Sequence, residues 1–296
     1  MITIYSEDHR LRDAKTELAE GRLVRPVECP ERMDMILEGL RARNLTDIRP
    51  PEAHGLDPAR RVHEADYLSF LETVWPDWEA MGHEGEAMAY TWPMRRMTER
   101  PPEAIEGRIG YYSLSADTAI SRGTWEAAQA AADVALTAGG IVAGGARAAF
   151  ALCRPPGHHA ARDLFGGYCF LNNAAIAAQA ARDGGAGRVA ILDVDFHHGN
   201  GTQDIFYDRG DVFFASLHGR PEDAFPYFMG YADETGAGAG EGATLNLPMP
   251  PGTAWGEWAE ALETALRAIV RFGPDTIVVS FGADTFEKDP ISFFKL

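Results

Sequence analysis

Apolar residues Met33, Ile36, Leu37 and Leu40 recur at i, i+3, i+4 and i+7 behind Pro30, the pattern of an amphipathic helix. Tyr67, Leu68, Leu71, Val74 and Trp75 repeat it. Trp258, Ala261, Leu262, Ala265, Leu266, Ile269 and Val270 form the strongest helical stripe in the chain. Four short runs are apolar on both faces: AAFALC (148–153), RVAILDVDF (188–196), DVFFASL (211–217) and DTIVVSFG (275–282). Helical stretches separate most of them, notably NNAAIAAQAARDG from Asn172. Two-sided apolar strands alternating with helices predict an α/β fold, with a central parallel sheet covered by helices on both faces. Ligands of such sheets collect beyond the carboxyl ends of the strands.

Between Gly82 and Tyr112 the periodicity stops, and Trp, Pro and Arg are mixed without order. The segment exceeds the ~12–15 residues usual for a structureless connection, which predicts an interface, a lid or a disordered stretch, and its aromatic and arginine content favours an interface. No internal repeat or domain boundary shows, so 1–296 reads as a single domain with 82–112 as a long insertion loop.

Composition narrows the function. A formal net charge of −17 argues against nucleic acid, whose partners present basic faces; it would suit a cationic substrate, although general solubility accounts for most of it. The three cysteines, Cys29, Cys153 and Cys169, are odd in number, widely spaced and form no CxxC pair, so neither a disulfide framework nor a thiolate zinc site is indicated. The charged N-terminus is not a secretory signal, and Asp133 and Arg147 interrupt the Ala-rich stretch, which argues against a membrane span. The expectation is a cytoplasmic protein with no membrane contact.

Three predicted strands end in ionisable groups. One ends in Asp193, Asp195 and His197, another just before Asp284, and a third runs into CRPPGHHA, where Pro155, Pro156 and Gly157 set a rigid turn before His158 and His159. A parallel sheet would bring all three clusters to one edge. Asp195 and His197, roughly 7 Å apart along a strand, can close on one ion, with Asp284 as third ligand. Two carboxylates and one imidazole with positions left open describe a catalytic site; the set suits Zn²⁺, Fe²⁺ or Co²⁺. His158 and His159 then supply the general base and acid, and Asp193 a supporting carboxylate. The chemistry this spells is amide hydrolysis.

The motifs RPPGHHA, GGYCFLNNAAIAA, ILDVDFHHGNGTQDIFY, VFFASLHG and VVSFGADTFEKDP resemble the histone deacetylase superfamily, and within it the bacterial acetylpolyamine amidohydrolase branch. The resemblance runs along the whole chain and implies a three-layer arginase/deacetylase-like fold. It implies zinc on Asp195, His197 and Asp284, His159 as the main general acid–base, His158 as its partner, and Asp193 behind the pair. It further implies a structural K⁺ near Asp193, Asp195, His197, Ser216 and Leu217. Tyr168 and Phe225 match the aromatic walls of the acyl tunnel, with Gly167 at its base. Glu17, Glu106 and Asp117 match acidic residues for the cationic end of the substrate, and the 82–112 loop is expected to make a homodimer.

Two departures bear on activity. Asn200 stands where many eukaryotic members have an aspartate supporting the second histidine, which lowers the expected pKa of His159. The resemblance also implies a later Gly-Gly-Tyr segment whose hydroxyl polarises the substrate carbonyl, and none occurs up to Leu296; the C-terminal end is expected to be truncated relative to the family. The leading expectation is a deacetylase of acetylpolyamines such as N-acetylputrescine, N-acetylspermidine and acetylcadaverine. The alternatives are an acetyl-lysine or general acyl-amide deacetylase of the same fold and, without the tyrosine, an acetylamine-binding protein of impaired activity. A dinuclear arginase-type site is disfavoured, because RPPGHHA offers no bridging carboxylate near its histidines.

Overall fold

The two-sided apolar runs do form parallel strands, in a computed structural model that describes residues 1–296. The chain divides into two compact units, Met1–Ile176 and Ala177–Leu296. The predicted strands are shared between a sheet in each.

The first unit contains β1 (Ile2–Ile4), the pair β2 (Glu17–Ala19) and β3 (Arg22–Val24), α1 (Glu31–Ala42), β4 (Ile48–Arg49) and α2 (Ala65–Ala80). It continues through α3 (Ile105–Tyr111), α4 (Thr124–Ala143) and β5 (Ala149–Ala151) to α5 (Asn173–Asp183), which runs across the division. Its parallel sheet has the order β4-β1-β5, while β2 and β3 pair antiparallel. Alternation along the strands gives each face its own helix. Ile2, Ile4, Ala149 and Ala151 pack with Val134 and Ala138 of α4, whereas Tyr5, Phe150 and Leu152 pack with Met33 and Leu37 of α1. The periodless 82–112 segment is not loop throughout: it ends in α3, whose seven residues are too few to show a helical stripe.

The second unit contains β6 (Val189–Asp193), α6 (Asn200–Phe206), β7 (Val212–Gly219), β8 (Thr244–Met249), α7 (Trp255–Phe272) and β9 (Thr276–Ser280). Its four strands are all parallel, in the order β8-β7-β6-β9. Helix α7 sets Trp258, Ala265, Ala268 and Ile269 against Ala190, Leu192, Phe213 and Ala215, and ends where Gly273 takes a left-handed φ of 67°. The strong stripe read from sequence is therefore the core face. Strands β6 and β7 are buried on both faces as expected, but β9 is an edge strand. Because α7 lies over β7 and β8, Ile277 and Val279 of β9 stay 51% and 52% exposed.

Candidate metal centre and catalytic histidines

Strand β6 stops at Asp193, so Asp195 and His197 sit in the turn beyond it rather than on an extended strand. The expected spacing along a strand is replaced by local hydrogen bonds. Asp195 N–H donates to Asp193 Oδ1 at 3.2 Å, and His197 N–H donates to Asp195 Oδ1 at 2.8 Å. Strand β9 lies beside β6 in register, Asp193 opposite Ser280, which carries the following turn and Asp284 to the same sheet edge. Phe196 N–H donates to Asp284 Oδ1 at 2.9 Å and fixes that carboxylate. Gly282 is required there, since a Cβ would lie 1.9 Å from Asp195 Oδ2.

The result is a cluster of one imidazole and two carboxylates. Asp195, His197 and Asp284 each offer one ligand atom, and these atoms lie within 4.8 Å of one another. His197 Nδ1 is 2.8 Å from Asp284 Oδ2 and 3.3 Å from Asp195 Oδ1. Burial lowers the His197 pKa, but the two carboxylates outweigh it and raise it to about 10. Asp284 rises to about 6, through burial first and then the charge of Asp195. Two half-desolvated carboxylates forced together around one imidazole are a site that a divalent cation relieves, and the O, N, O donors suit Zn²⁺, Fe²⁺ or Co²⁺. Phe225 lies near these ligands, edge-on to the His197 ring at 6.3 Å between centroids.

Three further residues assigned by sequence lie behind this cluster. Asp193 is fully buried, and Gly199 packs so closely on it that a Cβ would come within 2.3 Å of its Oδ2. Strand register puts Asp193 beside Ser216, which is followed by the buried Leu217. Ser216 Oγ is 2.9 Å from His218 Nδ1, whose other nitrogen is 2.9 Å from the Gly230 carbonyl. Since that carbonyl only accepts, His218 carries a proton on Nε2. His198, left out of the sequence-derived set, packs on the His218 ring at 4.5 Å between centroids, and its Nε2 is 3.0 Å from Gln203 Oε1 and 3.1 Å from Asn246 Oδ1.

His158 and His159 follow β5, in the sheet of the first unit. Both are buried, with ring centroids 4.0 Å apart and planes tilted by 45°. The loop that bears them is anchored at its start by Arg154, which donates to the carbonyls of His9 at 2.6 Å and Arg12 at 2.8 Å and pairs with the buried Glu28 at 2.6 Å. Gly167, with φ of 52°, leaves room for the His159 ring, since a Cβ would stand 2.2 Å from its Cδ2.

Tyr168 takes the strained φ of 67°, and its N–H donates to Thr118 Oγ1 at 2.8 Å. The Thr118 hydroxyl donates onward to Asp117 Oδ1 at 2.7 Å, as does Ser115 at 2.6 Å. The Tyr168 hydroxyl donates to Glu17 Oε1 at 2.8 Å, while Glu17 Oε2 is buried without a hydrogen-bond partner. Burial raises the Glu17 pKa and Asp117 adds to it, against the hydrogen bond from Tyr168. Tyr168 is also raised, by burial and then by the Glu17 charge. Glu106 is differently engaged: it pairs with His83 at 2.9 Å, and the His83 ring stacks on Trp78. Thr118 escaped the sequence reading, because a threonine in a loop carries no signal of the left-handed residue it restrains.

A parallel α/β sheet with a mononuclear O, N, O site at its carboxyl edge defines a class of metal-dependent hydrolase folds. Comparison with known proteins narrows it. The histone deacetylase domain matches residues 26–296. The chain is 59% identical over its whole length to an acetylpolyamine amidohydrolase of Mycoplana ramosa, covering 87% of that protein. It is 52% identical, again over its whole length, to acetylpolyamine amidohydrolase 2 of Pseudomonas aeruginosa, covering 86% of it. The crystal structure of an acetylpolyamine aminohydrolase from Burkholderia pseudomallei superposes with a TM-score of 0.95 at 41% identity, over all of this chain and 85% of that one. The chain belongs to the histone deacetylase family.

Proposed function

We propose that the protein is a zinc-dependent deacetylase of acetylpolyamines. The observation that carries this reading is the convergence of Asp195, His197 and Asp284, one donor atom each, at the carboxyl edge of a parallel sheet. The names of its relatives support the substrate class. Asp195, His197 and Asp284 hold Zn²⁺, with Fe²⁺ or Co²⁺ as other fits to the donor set; when bound, the ion supplies Lewis-acid activation of water and of the amide carbonyl.

His159 takes the proton of the attacking water and delivers a proton to the leaving amine, with His158 as its partner. Asp193 supports the pair. Tyr168 and Phe225 flank the acyl chain, and Gly167 leaves the floor open beside His159. Glu17 and Asp117 face the distal ammonium: a buried carboxylate oxygen with no partner is what a protonated amine would satisfy. Glu106 serves the same end from its position beside His83. Asp193, Asp195, His197, Ser216 and Leu217 hold a structural K⁺; strand register sets Asp193 beside Ser216.

The 82–112 segment exposes Tyr90, Met94 and Met97 among Arg95, Arg96 and Arg100, a composition suited to a homodimer contact. Sedimentation at a range of concentrations tests that state. No helix is long and apolar enough to cross a membrane, and the three free thiols suit a reducing cytoplasm.

The experiment is acetate release by the zinc-loaded chain from N-acetylputrescine, N-acetylspermidine, acetylcadaverine and an acetyl-lysine peptide. Faster turnover of the free acetylated amines supports the reading. Preference for the peptide would make it an acetyl-lysine deacetylase, and calorimetric binding without turnover would make it an acetylamine-binding protein.

A further inference from the structure

The loop bearing His158 and His159 is fastened to the start of α5 by two buried side chains, Asn172 and His63, to neither of which the sequence assigns a role. Asn172 is fully buried, and three of its groups are engaged. Its Oδ1 accepts from Ala175 N–H at 2.9 Å and caps α5, its Nδ2 donates to the Ala160 carbonyl at 3.0 Å, and its backbone N–H points at His63 Nε2, 3.0 Å away. The opposite nitrogen of the same ring, His63 Nδ1, is 2.8 Å from the Ala161 carbonyl. On either side, Glu64 N–H donates to the Arg162 carbonyl at 2.9 Å and the Tyr67 hydroxyl to the Phe170 carbonyl at 2.6 Å.

The partners fix the protonation of His63. A carbonyl cannot donate, so Nδ1 carries the proton; a backbone N–H cannot accept, so Nε2 presents a lone pair. Only the neutral ring with its proton on Nδ1 satisfies both. An imidazolium would set two N–H groups head to head, and burial opposes that form too, holding the ring's pKa down to about 4. His63 thus bridges residue 161, two positions after His159, to residue 172, whose side chain holds residue 160.

We propose that His63 is a positioning residue for the catalytic histidines, its neutral ring clamping the 158–161 loop onto Asn172. This rests on the proposed roles of His158 and His159. It differs from mere core filling in what it controls: the Ala160 and Ala161 carbonyls it fixes, directly or through Asn172, adjoin the general acid–base. Small displacements of such a group cost rate rather than substrate affinity.

The test compares the zinc-loaded wild-type chain with His63→Gln, whose amide can both donate and accept, and His63→Leu, which can do neither. For His63→Leu, kcat per folded, metal-loaded chain is expected to fall about 100-fold, with KM within about twofold and zinc content unchanged. His63→Gln should recover most of the loss. A His63→Leu kcat within about twofold of wild type, at a lower melting temperature, would reduce His63 to structural packing and overturn the proposal.

A second readout is independent of turnover. Proton–nitrogen spectra of the histidine rings should show His63 neutral, with its proton on Nδ1, near pH 7. In the His63→Gln and His63→Leu proteins the His158 and His159 ring signals should move. A proton on His63 Nε2, or unmoved signals in both variants, would overturn the proposal even in a fully active enzyme. A wild-type chain inactive on every acetylated amine would instead overturn the functional reading, leaving the ring spectra to decide the positioning.

Discussion

His197 Nδ1 and Asp284 Oδ2 lie 2.8 Å apart although 87 residues separate them in the chain. Parallel pairing of β6 with β9 creates that contact, because both strands end at the same level and turn toward the same edge. Replacing either residue by alanine should remove the metal. We expect bound zinc in His197→Ala and Asp284→Ala to drop from about one ion per chain to a small fraction, by elemental analysis of the dialysed protein. Retention of a full equivalent by either variant would move the metal site elsewhere.

Glu17 and Tyr168 form a pair whose effect depends on substrate charge. If Glu17 faces the distal ammonium as proposed, the Glu17→Gln protein should show about a tenfold higher KM for N-acetylspermidine. An uncharged amide such as N-butylacetamide should be affected by less than about twofold. Equal losses on both substrates would mean that Glu17 acts only by holding Tyr168 in place.

Gly167 tests how closely the chain approaches His159. An alanine Cβ would stand 2.2 Å from His159 Cδ2, at a φ of 52° that alanine also resists. Gly167→Ala should lower kcat about 100-fold while zinc content stays at the wild-type level. Near-normal turnover would show that His159 has room to move without loss.

Two buried histidines predict the acid limb of stability. Burial lowers His63 to about 4, and burial followed by the Arg154 charge does the same to His9. In the unfolded chain both regain a pKa near 6.5, so between roughly 6.5 and 4 the unfolded state binds more protons than the native one. Stability therefore falls as pH drops through that window, by about 3 kcal/mol for a fully buried ring. Urea unfolding of wild type and His63→Gln at pH 7 and 4.5 checks it: over that interval the gap between the two should shift toward the variant by about 2 kcal/mol. A gap independent of pH would contradict a neutral buried His63.

Much of this was legible in the sequence because its signals are periodic or dense. The stripes led by Met33, Tyr67 and Trp258 became α1, α2 and α7, and the four two-sided apolar runs became β5, β6, β7 and β9. Other elements carry little pattern of their own. Strand β1 is three residues at the chain start, and α4 is so rich in alanine that its stripe is faint, yet the two pack together through Ile4, Val134 and Ala138. The proposed metal ligands stood out by chemistry rather than by conformation: period-two spacing put them on a strand, whereas β6 ends at Asp193 and side-chain hydrogen bonds shape the turn. Positioning residues such as Thr118 and His63 were hidden for a simpler reason. Each is one polar residue whose partners, Tyr168 and Asn172, lie far along the chain.

The central claim is that Asp195, His197 and Asp284 hold the ion on which amide hydrolysis depends. The most direct measurement is acetate release from N-acetylspermidine by the wild-type chain, stripped with a chelator and then titrated with Zn²⁺. The account predicts loss of turnover on stripping and full recovery at about one equivalent of zinc per chain. Turnover that survives complete removal of the metal, or recovery that needs two ions per chain, would contradict it.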